Sequence, residues 1–268
     1  MSLRPRIPPY AESAIRAFLQ AHGRDEGSTG LVVGLSGGVD SALAARLAAD
    51  ALGPENLLAV LLPDAAHPPE LEQETLEYAD GLGVRHRVLA IDPIESALHG
   101  LLPEVVDRAS WGNVKARVRM LLLYAIAREE RKRVLGTGNK SELLLGYFTK
   151  YGDGGVDLLP LGDLYKTQVW DLAAQLDLPK EVRERAPTAG LWPGQTDEAE
   201  LGLPYSQLDM ILFGLEQLLS PEEIASRTGL PLDTVRGVET RVLAHRHKRR
   251  LPPIPKLSLR TVGLDWKE

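Results

Sequence analysis

The chain contains no cysteine, and this absence excludes several kinds of chemistry. Without thiols there is no structural disulfide, no thiolate-bound metal and no cysteine nucleophile. In particular, the chain cannot hydrolyse glutamine through a catalytic cysteine. Any ammonia that it uses therefore has to come from solution or from a partner protein.

Long apolar runs and an excess of basic residues are also missing. No stretch approaches the roughly 20 apolar residues of a membrane span, and no apolar signal core follows the basic N-terminal segment. We therefore expect a cytoplasmic protein that does not bind membranes. The 37 acidic residues outnumber the 31 Lys and Arg residues, and the net charge of −6 argues against a nucleic-acid binder.

Apolar runs of strand type alternate with helix-like segments along the first half of the chain. Strands are predicted at Leu31–Leu35, Leu57–Leu62, Val84–Ile91 and Val134–Leu135, and helices at Ser41–Leu52, Pro69–Leu82 and Asn113–Arg131. This alternation predicts an α/β fold, a doubly wound and mostly parallel sheet with helices on both faces. The carboxyl ends of its strands then lie on one edge, where such folds bind ligands.

The chain is long enough for one large domain with appendages. We expect a single domain over residues 1–268, with an α/β core at about 25–185 and a helical extension at about 205–250. Residues 146–161 are predicted to be a mobile functional loop and residues 186–204 to be irregular.

The C-terminal helices are predicted at about Tyr205–Leu219, Pro221–Thr228 and Leu232–His245. The last two, followed by the basic run HRHKRR, have the pattern of a helix-turn-helix. Acidic residues along the would-be reading helix, Asp233 and Glu239, argue against DNA recognition. A phosphate-rich substrate explains the basic run equally well.

Residues 31–41 read LVVGLSGGVDS, a strand that passes through a glycine-rich turn into a helix. Such a turn directs unpaired backbone N–H groups and the helix dipole at one point. Gly37 and Gly38 allow the backbone to contact an anion. A carboxylate at Asp40 would repel phosphate unless a divalent cation lies between them. The spacing fits neither a Walker A loop nor a dinucleotide-binding turn.

The run SGGVDS resembles the PP-loop of ATP pyrophosphatases, which cleave ATP between its α- and β-phosphates. Further segments, NVKARVRM at 113–120, the stretch 136–170 around GYFTKYGDGG, 186–209 and HKRRLP at 247–252, resemble the ammonia-dependent NAD synthetase family. The resemblance implies a homodimer that adenylates the nicotinate carboxylate of deamido-NAD with ATP, after which ammonia displaces AMP. Alternatives are another PP-loop ligase of the GMP synthetase type and a non-catalytic ATP-binding sensor.

The resemblance also implies roles for individual residues on the ATP side. The ATP-binding residues that it implies are Gly34, Leu35, Ser36, Gly37, Gly38, Val39, Asp40, Ser41, Thr137, Lys166 and Thr188. Asp40 and Glu142 are expected to bind Mg²⁺, and Lys166 is expected to act catalytically by neutralising phosphate charge. Taken alone, Glu142 also fits a helix N-terminal carboxylate, Lys166 a solvated surface lysine, and the threonines cap or turn hydroxyls.

On the substrate side, the resemblance implies a second set of residues. Those expected to bind deamido-NAD are Arg117, Lys150, Asp157, His247 and Lys248. Asp153 is expected to take the proton from ammonium, because an amine of lysine-like basicity is about 99.9% protonated at pH 7.4. Asp153 also fits a turn aspartate, and Arg117 a surface arginine. Tyr147 and Phe148 offer flat surfaces for a ring or ordinary loop packing. A separate glutaminase is a possible source of the ammonia.

Overall fold

The computed structural model describes residues 3–24, 27–104 and 107–266. The predicted core boundary at residue 25 and the outermost positions of the predicted domain, 1–2 and 267–268, lie outside the described residues. Within the described ranges the strands are β1 (Leu31–Gly34), β2 (Leu57–Leu61), β3 (Arg85–Val88) and β4 (Arg133–Leu135). They form a parallel sheet in the order β3-β2-β1-β4. From β1 the chain adds β2 and β3 on one side of the sheet and then β4 on the other side. The switch point of the strand order therefore lies between β1 and β4, which is where such folds bind ligands.

The predicted strand positions are confirmed, and the third strand is shorter than expected. The residues of β2 are buried throughout because helices cover both faces of the sheet. In contrast, β3 has the sequence RHRV and is largely exposed, and charged residues of this kind protect the open edge of a sheet. Pairing continues irregularly beyond β3, since the Ile91 amide still donates to the Pro63 carbonyl at 2.9 Å.

Helices surround the sheet and continue into the C-terminal part of the chain. In chain order they are α1 (Ala11–His22), α2 (Val39–Leu52), α3 (Pro69–Gly81), α4 (Asp92–Leu101), α5 (Arg108–Glu129), α6 (Lys140–Leu145), α7 (Lys166–Gln175), α8 (Lys180–Glu184), α9 (Asp197–Leu201), α10 (Tyr205–Glu216), α11 (Pro221–Thr228) and α12 (Leu232–Ala244). Among the described residues, none of these helices has the length and apolar character of a membrane span.

The prediction that residues 186–204 are entirely irregular is wrong, because α9 lies within them. Acidic residues in the first turn of α9, Asp197 and Glu198, favour the helix dipole, and Gly202 in a left-handed conformation ends the helix. Residues 146–161 have no helix, as expected, but part of this stretch is bound to the sheet. The Gly136 amide donates to the Leu158 carbonyl at 2.8 Å, so 156–158 run beside β4.

Apolar residues of the sheet alternate between two cores, as the pleat of a strand requires. Leu31 and Val33 of β1 lie in a core shared with α1, α2 and α7. Val32 and Val134 lie in the core on the opposite face, which α5 covers. The doubly wound α/β fold with helices on both faces is therefore confirmed.

A third core joins the C-terminal helices to α6. It is formed by buried side chains of α10, α11 and α12, including Ile224 and Val235, together with Leu145 of α6 and Tyr165 before α7. The C-terminal helices thus pack beside the region between β1 and β4. Their apolar faces are already in use within this core.

Candidate active site

The conformation of the turn between β1 and α2 is fixed by a glycine and by hydrogen bonds of its serines. Gly37 has φ +79°, and a Cβ atom at this position would lie 2.5 Å from a Leu71 methyl group, so only glycine fits. The Ser41 hydroxyl donates to the Gly38 carbonyl at 3.0 Å and accepts from the Ser36 amide at 3.2 Å. These hydrogen bonds fix the curvature of the loop.

The first turn of α2, directly after this loop, presents backbone amide groups. Its N-cap is Gly38, which has no side chain to occupy the first amide groups, so these can reach an anion. Gly34 ends β1, and the flanking Leu35 and Val39 are buried among core residues. Of the predicted ATP-binding residues, Leu35 and Val39 therefore offer only their backbone.

Lys166 lies between two carboxylates contributed by different elements. Its Nζ atom forms a hydrogen bond with Asp40 Oδ2 and lies 3.4 Å from Glu142 Oε1. The three side chains come from the first turns of α2, α6 and α7. The Lys166 side chain is only 3% exposed, so the alternative that it is a solvated surface lysine is wrong.

Asn139, which the sequence analysis did not single out, connects this cluster to the glycine-rich turn after β4. Its Oδ1 atom accepts from the Glu142 amide at 3.0 Å, and Glu142 Oε2 accepts from the Asn139 amide at 3.2 Å. This reciprocal pair is a capping box. The side-chain amide of Asn139 also donates through Nδ2 to Asp40 Oδ1 at 2.8 Å. The run NKSE, an asparagine three residues before a glutamate, was the signal for it.

Asp197 is a third carboxylate at this cluster that the sequence analysis missed. It is 3% exposed, and its Oδ2 atom accepts a hydrogen bond from the Tyr205 hydroxyl at 3.1 Å. Its Oδ1 atom has no hydrogen-bond partner in the part of the chain that the structure describes. A buried carboxylate oxygen without a partner is costly unless a further donor or cation occupies the site.

The charges in this cluster shift one another's pKa values. Burial, and then the nearby Asp40 carboxylate, raise the pKa of Glu142 to about 8. Burial also raises the pKa of Asp197, although the Lys166 ammonium opposes this. Burial alone would lower the pKa of Lys166, but the Asp40 and Glu142 carboxylates outweigh it and raise that pKa. The cluster is therefore short of positive charge.

The two threonines predicted to contact the nucleotide lie in different settings. Thr137 is half-buried in the turn that follows β4, beside Asn139. Thr188 is exposed, and its hydroxyl accepts from the Gly190 amide at 3.1 Å, as a turn hydroxyl does. Among residues 3–24, 27–104 and 107–266, no group of three or more His, Asp or Glu side chains has the arrangement of a metal site.

Four residues predicted to bind deamido-NAD meet in a second cluster, which we call the basic cluster: Arg117, Lys150, His247 and Lys248. Arg117 Nε donates to the Lys150 carbonyl at 3.3 Å, and Lys150 Nζ donates to the His247 carbonyl at 3.2 Å. Lys248 Nζ donates to the carbonyls of Gly146 and Phe148 at 2.7 and 2.8 Å. Segments that are about 130 residues apart in the sequence are thus joined at one surface.

Asp153 lies beside the basic cluster and also stabilises its own turn. Its Oδ1 atom accepts from the Thr149 amide at 2.9 Å, which agrees with the turn-aspartate alternative. Asp153 is exposed, and partial desolvation by the neighbouring loop raises the pKa of its carboxyl, while the Thr149 amide, Lys248 and Arg117 oppose the rise. The geometry is compatible with a turn role and a chemical role at once.

Asp157, in contrast, has both carboxylate oxygens bound to the fold. Its Oδ2 atom accepts from the Val134 amide at 2.7 Å and its Oδ1 atom from the Tyr124 hydroxyl at 2.9 Å. The rings of the preceding loop are engaged as well: the Tyr147 hydroxyl donates to Glu200 at 2.8 Å, and the Phe148 ring lies under Lys248. These contacts favour packing roles in the single chain.

Helix α6 joins the two clusters. Asn139 and Glu142 form its amino end, and Gly146 forms its carboxyl end. Six residues rise about 9 Å along a helix, so the carboxylates and the basic cluster are neighbours. Gly146 has φ +65°, and a Cβ atom there would lie 2.3 Å from His245 Cβ, so glycine allows the basic segment to pack against α6.

Comparison with known proteins supplies the family context. The model of the NAD synthase family matches residues 12–252. The NH(3)-dependent NAD(+) synthetase of Methanosarcina mazei is 46% identical over 250 residues, 92% of this chain and 98% of that protein.

Two solved structures share the fold. The NMN synthetase of Francisella tularensis is 33% identical with a TM-score of 0.82, over 94% of this chain and 100% of that one. The NH3-dependent NAD synthetase of Campylobacter jejuni is 32% identical with a TM-score of 0.78, over 92% and 98% of the two chains.

Proposed function

The chain belongs to the NAD synthase family, and we propose that it makes NAD from deamido-NAD, ATP and ammonia. The observation that carries the proposal is the meeting of Asp40, Glu142 and Lys166 at the switch between β1 and β4. A GMP synthetase-like ligase and a non-catalytic ATP sensor are not favoured, because the family match spans nearly the whole chain.

In the first step, the nicotinate carboxylate attacks the α-phosphorus of ATP and pyrophosphate leaves. The amide groups of the first turn of α2 bind the phosphates, and the hydroxyls of Ser36 and Ser41 line the loop before it. Lys166 neutralises the charge that builds up on the leaving group. Because Lys166 is buried against two carboxylates, its ammonium is held in position before ATP binds.

Mg²⁺ fits the donor set of this site. In the described residues, the carboxylates of Asp40, Glu142 and Asp197 outnumber the lysine that they surround, and one Asp197 oxygen has no partner. Asp40 and Glu142 would hold the ion together with phosphate oxygens and water. When bound, Mg²⁺ supplies electrostatic stabilisation of the pyrophosphate leaving group. Its carboxylate ligands must be ionised, so Glu142 has to release its proton.

In the second step, ammonia attacks the adenylated carboxylate and AMP leaves. Ammonium must first lose a proton, and Asp153 is the carboxylate that we assign to this task. Asp153 is exposed, so ammonium can reach its carboxylate, and partial desolvation by the surrounding loop raises its pKa toward that of a general base. Asp153 lies next to Lys248 and Arg117 of the basic cluster, which are assigned to deamido-NAD.

The basic cluster would bind the two phosphates of deamido-NAD. Arg117 is exposed on α5 and can hold a phosphate with two parallel hydrogen bonds. On the same face of α5, Leu121 and Tyr124 are 65% and 39% exposed. We assign this face to the interface of a homodimer, so that each subunit borders the other's dinucleotide site.

A steady-state assay tests the proposed activity. With ATP, Mg²⁺, ammonium and deamido-NAD, we expect equal amounts of NAD, AMP and pyrophosphate. A second candidate substrate is nicotinate mononucleotide, because one of the structures that share the fold is an NMN synthetase. Faster turnover of the mononucleotide would transfer the proposal to that substrate. ADP and phosphate as products with both substrates would contradict amide synthesis through an adenylate.

A further inference from the structure

Helix α7, which carries Lys166 in its first turn, begins without a capping side chain on its N-cap residue Tyr165. The first amide groups of a helix need acceptors from outside it. Two of these acceptors come from other elements. The Lys166 amide donates to the Ser141 hydroxyl oxygen at 2.9 Å, and the Thr167 amide donates to Asp209 Oδ2 at 2.8 Å.

Asp209 lies at the centre of this arrangement. It is fully buried on α10, and its other carboxylate oxygen, Oδ1, accepts the hydrogen bond of the Ser141 hydroxyl. The Ser141 hydroxyl thus accepts a hydrogen bond from the Lys166 amide and donates one to Asp209. A buried carboxylate at a helix N-terminus interacts favourably with the helix dipole. Burial raises the pKa of Asp209, and these donors oppose the rise.

The other end of Lys166 is also held by α10. Tyr205 lies one helical turn before Asp209, and its ring is 5.4 Å from Lys166 Nζ. The backbone of Lys166 is therefore fixed through Asp209 and its ammonium is placed over Tyr205. Both ends of the side chain depend on one helix of the C-terminal part.

We propose that Asp209 is a positioning residue for ATP: it fixes the first turn of α7 from α10, and so places Lys166 opposite Asp40. The inference rests on the proposed function, because it takes Lys166 to be a phosphate contact. It also gives a C-terminal helix, α10, a role in ATP binding. The loop that would bind the phosphates lies far from α10 in the sequence, in the first fifth of the chain.

A double-mutant cycle distinguishes positioning from a general contribution to folding. The dissociation constant of ATP is measured by calorimetry for the full chain and for Asp209→Asn, Lys166→Ala and the double variant, at fixed Mg²⁺. Asp209→Asn is expected to weaken ATP binding about tenfold, as the loss of a charged hydrogen bond does. In the Lys166→Ala background the same change is expected to cause no further weakening.

Equal weakening in both backgrounds, or an unchanged dissociation constant for Asp209→Asn, would overturn the inference. A Lys166→Ala variant that binds ATP normally would contradict the assigned role of Lys166 itself. Asp163→Asn is the matched control: Asp163 lies three residues before Lys166, its side chain is 97% exposed, and it pairs with Lys140 at the surface, so ATP binding should not change. If Asp209→Asn does not fold, Ser141→Ala replaces it in the cycle with the same expectation.

Discussion

At the scale of single residues, the cluster around Lys166 carries more negative than positive charge, because one ammonium faces several buried carboxylates. The raised pKa of Glu142, about 8, is one consequence. An unfolded glutamate ionises near pH 4.3, so between about pH 4.3 and 8 the folded protein holds a proton that the unfolded chain has released. The free energy of unfolding attributable to this residue therefore falls as the pH rises through that range.

The first prediction follows from this sign. In the ligand-free protein, Glu142→Gln should raise the melting temperature relative to the unmodified chain at pH 8.5, and the difference should shrink toward pH 5. Glutamine can still serve in the capping box with Asn139, so the cap is kept. Thermal melts across this pH range measure the effect.

Glu223→Gln is the matched control, because Glu223 occupies the same position of an exposed capping box on α11. Hydrogen bonds from Ser220 lower the pKa of Glu223, so its contribution is lost only as the pH falls. Parallel melting curves for Glu142→Gln and the unmodified chain at all pH values would refute the charge imbalance.

The second prediction concerns Asp153. Asp153→Asn should leave pyrophosphate release close to normal and slow amide formation, because asparagine can accept the Thr149 hydrogen bond but cannot take a proton. The loss should diminish as the pH rises toward 9, because the concentration of free ammonia increases about tenfold with each pH unit in this range. Rapid-quench measurement of both steps checks this. Equal losses in both steps would show that Asp153 serves only its turn.

The residue types at the site could be predicted from sequence, and their partners could not. Asp40 and Lys166 are separated by 126 positions, and only the fold shows that they meet. Asn139 was visible in the capping-box pattern but was not singled out. Asp197 had no local signal, because its importance comes from burial and from an unpartnered oxygen.

At the scale of elements, the short helix α6 is the joint between the ATP side and the dinucleotide side. Its carboxyl end at Gly146 contacts the segment that bears His245 and Lys248. The sheet and its covering helices were predictable, since alternating apolar runs specify them. Of the six-residue α6 only the start was signalled, by the run NKSE, and the five-residue α9 was not, because such short helices depend on caps and tertiary contacts rather than on periodicity.

The third prediction tests this joint. Gly146→Ala should destabilise the fold by about 1–3 kcal/mol, because alanine is strained at this left-handed position and its Cβ displaces His245. It should also raise the KM for deamido-NAD, since Lys248 donates to the Gly146 carbonyl. Denaturant unfolding and initial-rate kinetics measure the two effects.

Gly229→Ala provides the comparison. Gly229 has φ +74° but open space around its Cβ position, so it carries the backbone strain without the collision. Its KM values should be unchanged. If both variants behave alike in kinetics, α6 does not connect the two sides in the way described.

At the scale of the whole molecule, the face of α5 that carries Arg117, Leu121 and Tyr124 is exposed in the part of the chain that the structure describes. Leu121→Lys should place a charge in the proposed dimer interface and shift the protein to monomers. Light scattering over a dilution series detects the change. Leu218→Lys serves as control, because Leu218 is 92% exposed and lies two residues after the end of α10. A Leu121→Lys variant that stays dimeric, or an unmodified chain that is monomeric at all concentrations, would contradict the assignment.

The central claim is that the site forms an adenylate before ammonia is used. In a rapid-quench experiment with enzyme, ATP, Mg²⁺ and deamido-NAD but without ammonium, we expect about one pyrophosphate per site and almost no free AMP. Adding ammonium should then release AMP and NAD together. Asp40→Asn should release no pyrophosphate under either condition. Pyrophosphate that appears only after ammonium is added, or ADP in place of AMP, would contradict the account.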